Sequence, residues 1–488
     1  MSLSMCTDCL SRLHISNNAF SRLSAKPIQL PQTSSFHSSA IRNAKPLMKP
    51  KSEIQKRVLN SVRSSQSTRL KKKPRERPKL PPVGERRAQR RRIVLSNTNA
   101  LAVDGMENWS TENMTDPQLI GQVAGLDGAL LDQLRDAKAF KRTQNWSLFR
   151  RPATLIRNET IAIGNDVESV NDRTTIKHLV VGERHTGKSI LMLQTMCMAY
   201  MNNWLVLNVP EAQEFVNNTS SYAPLRQQDG KPSEGEQLYI QPHLTQALLT
   251  RALYSNESVL KSLKINHEMP KSLPLKAQAS LKDLLQLAAD DHTLAWLVWK
   301  AFWRELSEPG ANPRPRVLFA ADSIDHWMGP SRYHNAEHKI IHSQQFTLVR
   351  HFTNLMFAKQ GSPFANGGII MFCTTGSNTP AYPTLKLLID QIRARTRGIS
   401  PTSADFPLPA PFSKPDPHVL ELTSGSENVK LLDLNGLSVP ESRGYLEYFA
   451  NSGLLPTQLN EGKIAELRSL SAGGIVGELA KLGSRIRC

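Results

Sequence analysis

The stretch GERHTGKS at residues 182–189 restricts the fold of this chain more than any other part of its sequence. It matches the pattern G-x-x-x-x-G-K-[ST], in which glycines allow backbone N–H groups to converge on the oxygens of a phosphate. Residues 176–181 before it, IKHLVV, are apolar and β-branched at the two ends, like a buried strand, and residues 190–200 after it carry apolar side chains at helical spacing. Strand, loop and helix in this order predict an α/β fold built on a parallel sheet of the P-loop type.

The same loop predicts a nucleotide-binding site. In loops of this pattern the lysine neutralises the β and γ phosphates, and the hydroxyl group that follows it is a ligand of Mg²⁺. The predicted nucleotide-binding residues are Gly182, Glu183, Arg184, His185, Thr186, Gly187, Lys188, Ser189 and Ile190. A loop that keeps the turn but has lost its ligand is the alternative interpretation.

An acidic residue further along the chain is predicted to complete the site. Residues 316–327, RVLFAADSIDHW, form an apolar run that ends in an acid, so Asp322 is expected at the end of a strand, where it would help Ser189 to hold Mg²⁺. The next residue is Ser323, where many ATPases have a glutamate that activates water. Asp325 is a weak candidate for that catalytic role.

The remaining body of the chain is predicted to surround this sheet. Further strands are expected at 204–210 and 367–375, and the second of these ends in hydroxyl groups that could sense a γ-phosphate. These patterns predict a nucleotide-binding domain over 116–420, with a helical insertion around 211–310. After the Pro-rich stretch 406–417, residues 421–488 are predicted to form a C-terminal helical lid.

Nearly all of the net charge of +19 lies at the N-terminus, because residues 1–92 contain 22 Lys and Arg against four acidic residues. Residues 1–43 are Arg- and Ser-rich and poor in acids, which predicts a mitochondrial targeting peptide. Residues 44–115 are predicted to be a basic, disordered and largely extended arm. Its residues 45–93 are predicted to contact RNA phosphates, with a solvated linker or a nuclear-localisation-like run as alternatives. No apolar run is long enough to predict a membrane span.

Two further groups of residues are functional candidates. His334, His338 and His342 have i, i+4, i+8 spacing, which could place them on one helix face as metal ligands sometimes are, but a polar surface or interface is the favoured interpretation. The run RARTR at 393–397 could supply an arginine finger or contact RNA, and a solvated face is its default interpretation.

Several stretches taken together resemble one family, the death-associated protein 3 family of the mitochondrial small ribosomal subunit, in a fungal-like form. The resemblance runs over most of residues 119–485 and is far more specific than the loop alone. It is carried by LRDAKAFKRTQNWSLFRRPATLIR, VVGERHTGKS, LNVPEAQEF, VLFAADSIDHWM, FTLVRHF and LNGLSVPESRGYLEYFANSGLL.

The resemblance implies an AAA-like P-loop NTPase domain with a C-terminal helical lid. It also implies a matrix protein in the head of the mitochondrial small subunit, near the intersubunit side, in contact with ribosomal RNA, with neighbouring mitoribosomal proteins and possibly with the large subunit. The family is described as GTP-binding, so the implied ligands are GTP or GDP with Mg²⁺. ATP stays possible because no [NT]-K-x-D motif follows the loop.

Three functions remain open at this stage. The favoured one is a structural ribosomal component that holds a purine nucleotide and hydrolyses it slowly or not at all, because no glutamate follows Asp322. The alternative is an active mitochondrial P-loop NTPase in ribosome assembly or remodelling. A signalling switch of the death-associated type comes third, and no residue supports carrying over an apoptotic role.

Overall fold

The computed structural model describes residues 93–485, apart from 127, 171–172, 226–235, 277, 358–361, 378–379, 381 and 456–457. The predicted targeting peptide, residues 1–43, and the predicted arm up to residue 92 lie outside the described residues. Everything that follows concerns the described part of the chain.

The described residues contain one parallel sheet and three short antiparallel pairs of strands. The strands are β1 (Val123–Gly125), β2 (Ala153–Leu155), β3 (Thr175–Val181), β4 (Leu205–Val209), β5 (Ala223–Pro224), β6 (Tyr239–Ile240), β7 (Val317–Asp322), β8 (Pro330–His334), β9 (Ile340–His342), β10 (Gly368–Cys373) and β11 (Val429–Asp433). Five of them form the parallel sheet, in the order β11-β3-β10-β7-β4. The predicted α/β fold with a parallel sheet is therefore confirmed.

Helices connect these strands and cover the sheet. They are α1 (Gly128–Asp136), α2 (Asn158–Ser169), α3 (Lys188–Met201), α4 (Pro242–Ser255), α5 (Glu257–Ser262), α6 (Leu281–Asp290), α7 (Ala295–Ser307), α8 (Thr347–Phe357), α9 (Pro383–Thr396), α10 (Pro417–Thr423), α11 (Val439–Asn451), α12 (Glu461–Leu470) and α13 (Val476–Arg485). The region around 211–310, between β4 and β7, contains helices α4 to α7 together with the short β5–β6 pair.

Both faces of the sheet are buried, as expected of parallel strands that cross over through helices. Successive residues of β7 and β10 alternate between two hydrophobic clusters: Phe319 and Phe372 belong to one, whereas Leu318 and Met371 belong to the other. The first cluster packs against α4, α6, α7 and α8, and the second packs against α2 and α3. The register brings Asp322 beside Cys373, so β7 and β10 end at the same edge of the sheet.

The C-terminal segment departs from the prediction of a purely helical lid over 421–488. Its first part, β11, is an edge strand of the parallel sheet and pairs with β3 from Lys177 to Val181. The sequence VKLLD is short and half-buried, so it lacks the apolar character that identified the inner strands. Helices α11, α12 and α13 follow β11 and have small hydrophobic clusters of their own.

The end of the predicted arm also differs from the expectation of a largely extended segment over 44–115. Leu95, Trp109 and Met114 are buried in the cluster that covers one face of the sheet. The indole N–H of Trp109 donates to the hydroxyl of Thr154 at 2.9 Å. These residues are irregular in structure but packed, because their apolar side chains gain more from burial than from hydration.

The three histidines of the i, i+4, i+8 series do not lie on a helix, so that interpretation is wrong. His334 ends β8, His338 lies in the turn with a φ of 60°, and His342 ends β9. Residues spaced i, i+4 and i+8 share a face in a helix, but the same spacing in sequence also fits two strand ends and the turn between them. Of the helices in the described part of the chain, none has the length and apolarity that crossing a bilayer requires.

Candidate nucleotide-binding site

The 182–189 loop leaves the sheet where β3 ends and turns directly into α3. Gly187 has a φ of 102°, in the left-handed region that favours glycine. Gly182 has another constraint, since a Cβ atom there would overlap the carbonyl oxygen of Leu434, just beyond β11. The two glycines of the motif are thus required by the turn and by the close approach of a neighbouring strand.

The backbone N–H groups of this loop face outward from the sheet edge at the start of a helix. No acceptor for the N–H groups of residues 185–189 is found among the described residues. The first N–H groups of any helix lack partners within the helix, and their partial positive charge favours an anion. Residues 185–189 therefore form a cradle suited to phosphate oxygens.

Lys188 lies at the base of this cradle. Its ammonium group donates to the carbonyl oxygens of Gly182 and Glu183, at 2.7 and 2.6 Å. Burial lowers the pKa of Lys188, although Asp322 and Asp325 nearby favour its charged form. The ammonium group is held against the loop by neutral acceptors, so a phosphate could attract it without breaking an ion pair.

Ser189 and Asp322 meet at the carboxyl edge of the sheet, as the sequence predicts. The hydroxyl group of Ser189 donates to Oδ2 of Asp322 at 2.5 Å. A hydroxyl oxygen and a carboxylate oxygen are suitable donors for Mg²⁺, which takes its remaining ligands from water and from the phosphates of a nucleotide. These two residues would hold the ion, and it would neutralise charge on the phosphates.

A lysine that the sequence did not predict for this site also contacts the carboxylate of Asp322. Lys141, from the segment between α1 and β2, also donates to Oδ2 of Asp322. It is 181 residues distant from Asp322 in sequence, so no local pattern could have revealed the contact. The donor set fits Mg²⁺, but Lys141 must leave Oδ2 of Asp322 before the ion binds there.

Asp325, the weak catalytic candidate, is held away from the cavity. Its carboxylate accepts the backbone N–H of Thr375 at 2.5 Å, and it is absent from the cavity lining, which includes both Ser323 and His326. Burial raises the pKa of Asp325 to about 6. Ser323 has a φ of 66°, so the backbone turns through the left-handed region directly after β7.

The hydroxyl groups after β10 are both engaged. The hydroxyl of Thr374 donates to the carbonyl of Val180 at 3.3 Å, and that of Thr375 donates to the carbonyl of Ser377 at 2.8 Å. Both threonines line the cavity. They lie on the phosphate side of the site, where the sequence interpretation placed a γ-phosphate sensor.

A cavity of about 450 Å³ joins these groups to the C-terminal helices. Its volume is within the usual range for small-molecule sites. The loop and the start of α3 contribute to its lining, and many of the other lining side chains are apolar or aromatic. These include Trp146, Phe149, Tyr445, Tyr448, Phe449, Val476 and Ala480.

The C-terminal helices contact the loop directly. The N–H of Gly477, in α13, donates to the carbonyl of His185 at 3.1 Å. Nδ1 of His185 also lies 3.2 Å from a carboxylate oxygen of Glu478. Helix α13 therefore borders the cradle and fixes the position of one residue in it.

Arg157 also contacts the loop, and after Lys141 it is the second site residue that lies outside the motif. Its guanidinium donates to the carbonyl of Thr186 at 2.9 Å and to that of Asn435 at 3.0 Å. The side chain is almost fully buried and ties the loop to the segment after β11. The sequence signal for it is its place in the stretch ending ATLIR, which carries part of the family resemblance. The run RARTR at 393–397 lies elsewhere, where Arg393 pairs with Asp433.

Comparison with known proteins shows the family of this chain. The family model for mitochondrial ribosomal death-associated protein 3 matches residues 154–482. A small ribosomal subunit protein mS29 from Neurospora crassa is 37% identical over 411 residues, which covers 83% of this chain and 83% of the relative. A protein of the same name from Schizosaccharomyces pombe is 24% identical over 356 residues, or 71% of this chain and 67% of the relative.

The fold and the cavity define an α/β protein with a glycine-rich loop at the carboxyl edge of a parallel sheet. The chain belongs to the mitochondrial ribosomal death-associated protein 3 family. This membership confirms the resemblance inferred from the sequence and places the protein in the mitochondrion, within the mitochondrial ribosome.

Proposed function

We propose that this protein is a structural component of the mitochondrial small ribosomal subunit that holds a purine nucleotide, GTP, GDP or ATP, together with Mg²⁺. The domain that holds it is an AAA-like P-loop domain, and α11 to α13 form its lid. The observation that carries the proposal is the cradle of N–H groups at 185–189. Together with the side chain of Lys188, this cradle lines a cavity of about 450 Å³.

The arrangement of the strands supports the P-loop assignment. The strand before the loop, β3, and the strand that ends in Asp322, β7, are separated by β10. Ser189 and Asp322 are nevertheless in contact, because all three strands end at one edge of the sheet. Ligands of open parallel sheets bind outside the carboxyl ends of their strands.

The same geometry favours a held nucleotide over a rapid catalytic cycle. Ser323 follows Asp322, and the next acid, Asp325, is bonded to Thr375 and faces away from the cavity. Apart from Asp322, the acidic residue that lines the cavity among the described residues is Glu211, and it does not follow Asp322 in the strand as the catalytic glutamate of many ATPases does. The alternative function, an active NTPase in ribosome assembly or remodelling, has less support from this site.

Nucleotide extraction tests the proposal most directly. Small subunits carrying the wild-type chain should release one purine nucleotide for each copy of the protein, identified by chromatography after denaturation. Lys188→Ala should lower the affinity for the nucleotide by about a hundredfold or more, because a charged hydrogen-bond donor to phosphate is lost. Less nucleotide should therefore be recovered from these subunits. Lys300→Ala, at an exposed position on α7, is the matched control.

Two results would overturn the proposal. One is wild-type subunits that carry no nucleotide at this protein, and the other is equal occupancy in wild-type and Lys188→Ala subunits. Hydrolysis is a separate matter, and we expect turnover below about one per minute on purified subunits, close to that of an unassisted GTPase. A much faster rate would favour the NTPase alternative.

The remaining partners follow from the place of this family in the ribosome and from the charge of the N-terminus. We propose that the basic arm contacts small-subunit ribosomal RNA, and that the folded body contacts neighbouring proteins of the subunit head. A contact with the large subunit across the intersubunit side is part of the same proposal. Cross-linking of intact ribosomes followed by mass spectrometry would identify these neighbours.

A further inference from the structure

Two hydrogen-bond donors share one oxygen atom at the predicted magnesium position. Oδ2 of Asp322 accepts from the hydroxyl of Ser189 and from the ammonium group of Lys141. The side chain of Asp322 is 4% exposed and that of Lys141 is 21% exposed. The cation of the lysine therefore lies where Mg²⁺ would meet the protein.

Lys141 is held in this position by the structure around it. Its backbone N–H donates to the side-chain oxygen of Gln144 at 2.7 Å, and the same oxygen accepts from the indole of Trp146 at 2.8 Å. Phe140 packs edge-on against Trp146, with ring centroids 5.1 Å apart. The segment that carries Lys141 is thus anchored on both sides.

A lysine and a magnesium ion cannot occupy this oxygen together. Mg²⁺ needs to approach a carboxylate oxygen to about 2.1 Å, and it tolerates little departure from octahedral geometry. Two cations at one oxygen also repel each other strongly where water is scarce. Binding of the ion at Asp322 therefore requires the ammonium group of Lys141 to withdraw.

We propose that Lys141 is a built-in cation that competes with Mg²⁺ for Asp322, so that nucleotide binding by this protein depends only weakly on magnesium. The inference rests on the proposed nucleotide site. Lys141 lines the same cavity as Lys188, so both ammonium groups can neutralise the phosphates of a bound nucleotide. The protein then retains its nucleotide when free magnesium falls.

A metal titration without nucleotide tests the competition itself. Mn²⁺ alone is added to the full chain and its binding is followed by electron paramagnetic resonance. Lys141→Met should bind Mn²⁺ about tenfold more tightly than the wild type, because the competing charge has been removed. Lys141→Arg, which keeps the charge, and Arg142→Gln, which removes an exposed neighbouring charge, should both behave like the wild type.

A nucleotide titration tests the consequence. Affinity for fluorescent GTP and ATP analogues is measured in Mg²⁺ and in EDTA. The wild type should change by less than about threefold, and Lys141→Met should lose about tenfold or more in EDTA. Thermal unfolding confirms that each variant is folded, and Lys141→Gln replaces Lys141→Met if the latter is not.

The two titrations separate the two proposals. Equal Mn²⁺ affinity in the wild type and Lys141→Met, or a wild type as dependent on magnesium as Lys141→Met, would overturn the role of Lys141. If neither the wild type nor any variant binds nucleotide, the proposed function is overturned instead. The Mn²⁺ titration would still decide whether Lys141 competes for Asp322.

Discussion

Asp325 is a buried acid that faces the protein interior, where its carboxylate accepts the N–H of Thr375. Burial raises its pKa from the ordinary value of 3.8 to about 6, despite that hydrogen bond and the charge of Lys188. The folded protein therefore binds a proton more readily than the unfolded chain at this position. The contribution of Asp325 to the stability of the fold decreases as the pH rises from about 4 to about 6, and this contribution stays constant above that range.

The variant Asp325→Asn removes this titration and keeps a side-chain oxygen for Thr375. Relative to the wild type, the variant should be more stable at about pH 7.5 than at about pH 4, with a free energy of unfolding that is larger by about 2 kcal/mol. Urea unfolding of both proteins at the two pH values provides the measurement. A difference that is the same at both values would contradict the prediction.

Residue-level contacts also mark the limit of what the sequence could predict. The motif identifies Lys188 and Ser189, and the apolar run that ends at Asp322 correctly places this acid beside Ser189. Lys141 and Arg157 reach the same site from a segment without any motif, through contacts that exist only once the chain has folded. Local patterns carry no information about such distant pairs.

At the scale of elements, helix α13 is the part of the lid that contacts the loop. Gly477 lies so close to His185 that a Cβ atom on it would be 2.6 Å from the Cβ of His185. An added methyl group there must push α13 and the loop apart, because neither backbone can yield easily. The position of the cradle therefore depends on a glycine in the last helix.

The variant Gly477→Ala should consequently weaken nucleotide binding by about three- to tenfold while the protein stays folded. The control is Gly462→Ala in α12, where a Cβ atom would make only an ordinary contact, 3.7 Å from Oδ1 of Asn460, and alanine favours the helix. Affinity by fluorescence titration and thermal unfolding of both variants check this. Equal affinities for the two variants would show that α13 does not position the loop.

The elements themselves differ in how well the sequence predicts them. Strands β3, β4, β7 and β10 are confirmed, because strands of a parallel sheet that are covered by helices are buried and rich in apolar residues. The strand β11, at one edge of the sheet, was missed, since two of the five residues of VKLLD are charged and the strand is only half-buried. The hairpin of β8 and β9 was mistaken for a helix because a spacing of four residues fits both structures.

At the scale of the whole molecule, the charge is strongly uneven. The first 92 residues hold 22 basic and four acidic residues, whereas the rest of the chain is close to neutral. Each basic residue that meets a phosphate releases counterions, so an arm of this kind binds RNA in a manner that depends on salt and not on sequence. The folded body and the arm should therefore contribute to RNA binding in different ways.

Deletion of residues 45–92 should lower the affinity for small-subunit RNA most at low salt and reduce the slope of log affinity against log salt. Filter binding or fluorescence anisotropy over a range of salt concentrations measures both effects. A chain of full length in which the lysines and arginines of 71–92 are replaced by glutamine is the control for the length of the arm. Identical curves for the deleted and intact chains would contradict a role in RNA contact.

The pairing of β11 with β3 has a consequence for the order in which the protein is made. Lys177 emerges early during synthesis, but its partner Val429 and the carbonyl of Leu434 that packs on Gly182 come only near the end. The loop therefore remains unfinished until residue 434 has been synthesised, and long-range parallel pairing of this kind is slow to form. A truncated chain that ends before β11 would keep the full motif and still lack the neighbours of Gly182, so we expect it to leave the loop incomplete.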